Sequence, residues 1–540
     1  MGVQNIYSRI IYKHNYAYEN KYRHYLSVIL KKKYKKTLII NQDEVRESIN
    51  FSTEYFISKF SEACFKEKSL SFYQHVLFLH DQATDLVYQY QESAESSNID
   101  FYYVSKYRRI LKFILEQTCE NRLISGEPTT PYLITRIQDK LDELMYLGEM
   151  ILMCTEMFAE QDMIEDLGQI SFDKDGFFVF SRKHHYNKAF DEVVIKSWGA
   201  YLTKEAFDSN AIEDFTSIIK KAFGIRYNDV SHMIASIHEQ FKDNAGDYTG
   251  FNWDGLVTNF KTLFNVPETN STIFFQGLTL NRENKKSLKE VASKPYLINK
   301  YLYRPILIWN VDDKDFAFIT KQAWAESIIQ LTTNAIPWGK APEEWMKNSI
   351  INKYVHQKED SHDVWLDDKV ENILKRNDLI YARNIVNIND KNIIKNPGEI
   401  DFLIISEKLQ KVFVVDCKHL LGRYDIQNQK LDYLNFVKGT KNKSYNSQLI
   451  RKKEWILQNL DEVQSHFKVN LRGFEIEGCF IINTPTFYMF NSDLRLFTID
   501  QFDEVLNNYH KDIEFYFETT KKKYKVHYPY FRLPEFYEKK

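Results

Sequence analysis

Over most of the first 225 residues, hydrophobic and polar positions alternate with a helical period. In Asn50–Phe60 (NFSTEYFISKF) apolar side chains recur every three or four residues, and Tyr132–Met157 extends the same pattern over a longer run. The stretch from about Ile39 to Phe223 is therefore expected to be mainly α-helical. Asp173–Gly176, just ahead of Phe177–Phe180, reads as a turn followed by a short strand. Tyr227–Phe241 and Trp253–Phe264 are two amphipathic stretches joined by a polar loop with Gly246 and Gly250. They predict a small mixed α/β or winged-helix-like module. Tyr303–Val311 followed by Asp312–Ile319 predicts a β-hairpin with a charged turn, and Ala341–Pro342 opens another helix.

The texture changes after the polar stretch His356–His362, which is expected to be weakly structured and to form a boundary. Val364–Lys375 has a helical period and leads to a strand-like run at Ile385–Ile388. Two strongly apolar runs follow, Ile400–Ser406 and Lys411–Lys418, then a long helical pattern over Ser444–Phe467. Cys479–Asn483, Leu496–Ile499 and a helix at Asp500–Asn507 complete the region. Helix, three strands, helix, strand is an α/β plan with a mixed sheet. The expected fold class is thus multidomain: a mainly α-helical N-terminal region over 1–225, the small module over 226–355, and an α/β domain over 356–540.

Composition changes this picture little. At 540 residues the chain is long enough for two or three domains, and 44% hydrophobic with 27% charged residues is ordinary for a globular protein. A net charge of −2 provides no global positive field, so any nucleic-acid surface has to be local. The five cysteines, Cys64, Cys119, Cys154, Cys417 and Cys479, form no Cys-x-x-Cys pair, and their odd number argues against a disulfide framework. No run of about 18 apolar residues suggests a membrane helix, and Met1–Asn15 has no signal-peptide core. A cytoplasmic protein without a membrane partner is expected. His184–His185 has no ligand partner at zinc spacing, and the chain has no P-loop motif. The Lys31–Lys36 and Lys521–Lys525 runs are read as solvated faces.

The chemistry concentrates in Pro397–Ser406 (PGEIDFLIIS) and Val412–His419 (VFVVDCKH). Asp401 opens one apolar strand. Asp416 and Lys418 close the next, two residues apart and so on one face. Glu407–Gln410 makes a tight turn that sets the strands antiparallel. Two carboxylates and an ammonium thereby converge at one end of a sheet. Mg²⁺ takes one or two protein carboxylates beside water and phosphate, and a cationic side chain can offset charge developing in a transition state. An isolated Asp-x-Lys at a strand end is usually a solvated terminus; here a Val-rich strand and a paired Asp set it apart.

These two motifs resemble the PD-(D/E)XK nuclease superfamily, which has a restriction-endonuclease-like fold. They are most similar to the nuclease-related domain, NERD, over about Trp365–Asn507. The resemblance does not reach the N-terminal 350 residues. It implies Asp401 and Asp416 as acidic ligands of Mg²⁺ or Mn²⁺, Lys418 as the catalytic lysine, and the backbone carbonyl of Cys417 as a further ligand. It also implies an acid on the first core helix, for which Glu371 fits best, and a Gln-x-x-x-Lys element, matched by Gln448 and Lys452. The function expected is metal-dependent hydrolysis of phosphodiester bonds in DNA, with RNA also admissible, and by analogy a role in defence against foreign DNA. The alternative is a non-catalytic nucleic-acid- or partner-binding protein on a nuclease-like fold, with a partner subunit or a second copy as its ligand. Between Lys408 and Lys453 eleven basic residues face three acids. Lys438, Lys441 and Lys443 form a basic loop suited to backbone phosphates, with Lys452 beside it.

Overall fold

The computed structural model describes residues 2–6, 9–13, 16–91, 101–126, 130–164, 167–183, 210–240, 250–295, 297–389, 391–421, 426–439, 444–490, 494–508, 511–517 and 522–528. His184–His185, the Gly246 loop, Lys441, Lys443 and Lys521 lie outside the described residues. The chain is multidomain, part α-rich and part α/β. It divides into two compact units, the first comprising Met1–Phe158, Gln169–Ser181 and Phe207–Glu359, the second Ala159–Gly168, Arg182–Ala206 and Asp360–Lys540.

The first unit is carried by long helices, among them Gln42–Lys66, Leu70–Gln91 and Phe101–Thr118. The hairpin Ile306–Val311 and Lys314–Phe318 forms as the alternation requires, with Asp312 and Asp313 in the left-handed conformation at its turn. Strand Ile306–Val311 pairs in parallel with Arg122–Leu123 and with Thr279–Leu280. Leu307, Trp309 and Val311 enter one apolar core, while Ile306 and Ala317 enter a second. One hairpin thus seals two cores, which ties regions far apart in sequence into a single unit.

The division between the units falls inside α1 (Ser349–Arg376). The expected weakly structured stretch His356–His362 is helical instead. It is polar but contains no Gly or Pro, so nothing in it interrupts the backbone ladder. From α1 the chain enters β1 (Ile380–Ile385), β2 (Ile400–Ser406) and β3 (Lys411–Lys418). Helices α2 (Ile426–Val437), α3 (Tyr445–Gln458) and α4 (Leu460–Phe467) carry it to β4 (Glu475–Ile482), β5 (Arg495–Thr498) and α5 (Ile499–Leu506). The sheet order is β1-β2-β3-β4-β5. The first two pairings are antiparallel and the last two parallel, so the sheet is mixed.

Both faces of this sheet are covered, which explains why β2 and β3 read as almost unbroken apolar runs. On one face Leu366, Val370 and Leu374 of α1 and Phe502, Val505 and Leu506 of α5 pack on Phe402, Ile404, Phe413 and Val415. On the other, Phe436 of α2, Leu449 and Ile456 of α3 and Val463 of α4 pack on Leu403, Ile405, Val412 and Val414. Each such side chain contributes about 1.5–3 kcal/mol on burial.

The long helix expected over Ser444–Phe467 is two helices. Asn459 separates α3 from α4: its side chain donates to Trp455 O at 2.8 Å and competes with the backbone ladder. Among the described residues no helix is long and apolar enough to cross a membrane.

Candidate functional site

The turn Glu407–Gln410 closes with Gln410 left-handed and a Gln410 N–H to Glu407 O bond at 3.2 Å. It sets Phe402 opposite Val415. That pair is the last in the β2–β3 ladder, and the strands part at Asp401 and Asp416. Instead of a ladder bond, the Cys417 N–H donates to Asp401 Oδ2 at 2.7 Å. The acid pair therefore occupies a place where the sheet opens.

Asp416 is buried, and two ammonium groups converge on its Oδ1: Lys452 of α3 at 2.8 Å and Lys418 at 3.1 Å. Lys452 Nζ is also 4.0 Å from Asp401 Oδ1. Lys418 donates to the Cys417 carbonyl at 3.1 Å, and its ammonium lies 5.0 Å from the centre of the Tyr445 ring. Asp416 Oδ2 is buried with no hydrogen bond from any fixed N–H or O–H group among the described residues. Arg451, next to Lys452, donates to Pro397 O at 3.0 Å and so braces the loop that leads into Asp401.

These contacts pull the two carboxyls apart electrostatically. Burial, followed by the nearby charge of Asp416, pushes Asp401 up to about 8. Burial works to raise Asp416 as well, but Lys418 and Lys452 outweigh it and hold that carboxyl at about 2. The two groups lie close enough to share a proton, and like charges so placed do not both ionise readily. For Lys418, Asp416 and then Asp401 outweigh burial and raise the ammonium above its ordinary range.

The residues singled out from sequence do not all meet. Asp401, Asp416, Lys418 and Cys417 come together. Lys452, expected on the surface against phosphate, is instead a buried partner of Asp416. A buried ammonium needs a paired carboxylate, and Asp416 provides it at 2.8 Å. Gln448 lies one turn before Lys452 on α3, half-buried. Glu371 does not join the pair. It sits on α1, which packs on the opposite face of the sheet from α3, and accepts from Tyr381 at 2.9 Å and Arg383 at 2.9 Å, with Lys375 at 3.1 Å. Tyr381, followed by Lys375, holds its carboxyl below the usual range. Lys438 is exposed just beyond α2.

Helix α2 has no clear signature in the sequence. Gln427, Asn428 and Gln429 are buried at its first turn, and three buried amides in a row mask the amphipathic pattern. The signal for Lys452 is its spacing: four residues after Gln448 and three after the buried Leu449, on the inward side of a helix.

Among the described residues no three or more His, Cys, Asp or Glu side chains gather into a metal-binding set. The donor set at the parted strands is smaller: two carboxylates and the Cys417 carbonyl. It fits a hard divalent cation that keeps most of its water, because Mg²⁺ usually binds through one or two carboxylates. Asp416 Oδ2 meets no ammonium group among the described residues, and its nearest acidic neighbour is Asp401.

No protein-family model, no curated protein and no solved structure matches the chain.

Proposed function

We propose that this chain is a metal-dependent nuclease with a restriction-endonuclease-like catalytic domain, hydrolysing phosphodiester bonds in DNA. The observation that carries the reading is the arrangement at the parted strands: Asp401 and Asp416 side by side, Lys418 on the same strand, and Asp416 Oδ2 left open. Asp401, Asp416 Oδ2 and the Cys417 carbonyl would hold Mg²⁺ or Mn²⁺. When bound, such an ion lowers the pKa of an attacking water and offsets charge on phosphorus.

The remaining work belongs to the chain. Lys452 holds Asp416 by one oxygen and so fixes which way the other points. Lys418 carries a positive charge beside Asp416 and can meet a phosphate oxygen as negative charge grows there. The Cys417 N–H keeps Asp401 turned toward Asp416. The basic surface around Lys438 would hold backbone phosphates without reading bases.

A second reading, a binding protein on a nuclease-like fold, draws on the same lysine. Lys452 already neutralises Asp416, and no third acid completes a ligand set among the described residues. One assay separates the two: supercoiled, linear and single-stranded DNA, and RNA, each incubated with the protein and Mg²⁺ or Mn²⁺, against EDTA. Metal-dependent cleavage abolished in Asp416→Ala supports the nuclease. Binding without cleavage under every metal condition overturns it.

A further inference from the structure

Period-two alternation fails at one place in the sheet, and that place is beside Asp401. In an unbroken strand, residues three apart face opposite sides. Yet Ile400 and Leu403 of β2 bury in the same core, and on β1 Ile385 buries in that core while Ala382, partly buried, packs against it. Phe402, between them in sequence, buries on the other side. Both strands therefore change face across one cross-strand position.

The residue at that position on β1 is Asn384. The pairing runs Arg383 with Phe402 and Ile385 with Ile400, and omits Asn384 and Asp401 between them. Asn384 has φ +51°, the left-handed conformation, in the middle of a strand. Asparagine and glycine enter that region far more readily than β-branched residues, which elsewhere suit strands best. On its N-terminal side β1 is held to α1: Tyr381 and Arg383 each donate to Glu371 at 2.9 Å, and Arg383 donates to Asp368 at 2.7 Å. The left-handed step comes immediately after this anchorage. It releases the ladder at Asp401 on one side just as the β2–β3 ladder ends on the other.

We infer that Asn384 is a positioning residue: its left-handed backbone frees Asp401 from both neighbouring strands, so that the carboxylate turns to the Cys417 N–H and to Asp416. Glu371, which the sequence pointed to as a ligand, takes the supporting part of fixing β1 up to the step. The inference rests on the metal-site reading above for its consequence, though not for its geometry. The Asn384 side chain is exposed, so substitutions there act through backbone conformation.

The test is a series at position 384: Asn384→Gly and Asn384→Asp, which keep the left-handed region open, Asn384→Ala, which disfavours it, and Asn384→Val, which disfavours it most. Two quantities are read, the affinity for Mn²⁺ by titration calorimetry and the exchange of the Cys417 amide in metal-free protein. Gly and Asp are expected within about twofold of wild type in both. Val is expected to lose at least tenfold in each, with Ala between, while the Val412 and Val414 amides stay protected. Should Asn384→Val collapse those core amides as well, the ordering of Ala against Gly decides. Equal Mn²⁺ affinity and equal Cys417 protection in Ala and Gly would overturn the inference. A wild-type protein that binds no Mn²⁺ would instead sink the metal reading, and the Cys417 amide would still judge the role of Asn384.

Discussion

Glu326 in the first unit and Asp416 in the second are buried acids that each meet two cations, and the two places are built differently. In the first unit Glu326 gives one oxygen to Arg108 and the other to Lys112, the latter at 3.0 Å. Arg108 also donates to Thr84 Oγ1 at 3.1 Å. Burial would raise the Glu326 carboxyl, but Lys112 and Arg108 outweigh it and hold it at about 2. Both of its oxygens have a partner, and the cluster is closed. At the parted strands of the second unit, Lys452 and Lys418 share one oxygen of Asp416 and leave the other without a cation among the described residues, beside the Asp401 carboxyl. The first cluster closes both carboxylate oxygens with cations; the second leaves one of them to the neighbouring Asp401 or, on the reading proposed above, to a metal ion.

The sharpest way to break this comparison is to open the closed cluster. Glu326→Ala leaves Arg108 and Lys112 buried without their acid, and should destabilise the protein by about 3–5 kcal/mol. A urea titration reads this as a lower midpoint at an unchanged slope. Mn²⁺ binding at 25 °C should be unaffected. A midpoint that stays put would mean that the cluster is not a structural one.

At the open cluster the balance between stability and function should reverse. Lys418→Ala leaves Lys452 in its 2.8 Å contact with Asp416, so the protein should lose only about 1 kcal/mol or less. Cleavage should fall roughly a hundred- to a thousandfold, the usual worth of a preorganised charge near a transition state, about 3–4 kcal/mol. Paired melting and cleavage measurements check this. A large loss of stability with activity intact would make Lys418 a second structural cation and erase the contrast with Glu326.

A third difference lies in the response to pH. Asp401 is pushed up to about 8 in the fold against about 3.9 in an unfolded chain, so the folded metal-free protein holds a proton that the unfolded chain gives up. Stability from this group is complete below about pH 4 and is lost as pH rises toward 8, by at most about 1.4 kcal/mol per pH unit. Asp416, held at about 2, acts in the opposite direction and loses its contribution only as pH falls from about 4 to 2. Melting temperature followed from pH 5 to pH 8 without metal should decline in wild type and decline less in Asp401→Asn. Equal slopes would show that Asp401 does not carry the proton.

Much of the second unit was legible in the chain. Apolar runs with Asp at one end and Asp-x-Lys at the other are local signals, and β2, the turn and β3 follow from them directly. What was not legible depended on facing. Glu371 has the right residue type on the right helix, but whether α1 covers the same face as the acid pair is settled by packing, which no spacing on one helix reveals. Lys452 was legible as a position and not as an environment, because a lysine reads as surface until a buried carboxylate is known to lie opposite. Asn384 was invisible for a further reason: one asparagine in a short strand carries no pattern, and its left-handed backbone shows only once the ladder on either side is in register.

The smallest effect expected concerns charge outside both clusters. Lys438 is exposed just after α2, with Lys441 and Lys443 close behind in sequence. Unlike Lys418 and Lys452, which are committed to Asp416, an exposed lysine of this kind contributes only the release of counterions when it meets a phosphate. Replacing Lys438, Lys441 and Lys443 together by Ala should weaken DNA binding by the same factor on every sequence. The slope of log affinity against log salt should flatten by about one unit for each lysine that had been neutralising a phosphate. Melting temperature should not move, and cleavage at saturating DNA and low salt should stay near the wild-type rate, since the loop's charge serves binding and not the chemical step. An unchanged salt slope would assign the loop to solvent. A sequence-dependent loss would assign it to base recognition instead, and in that case the division between buried cations for chemistry and exposed cations for the backbone would have to be redrawn.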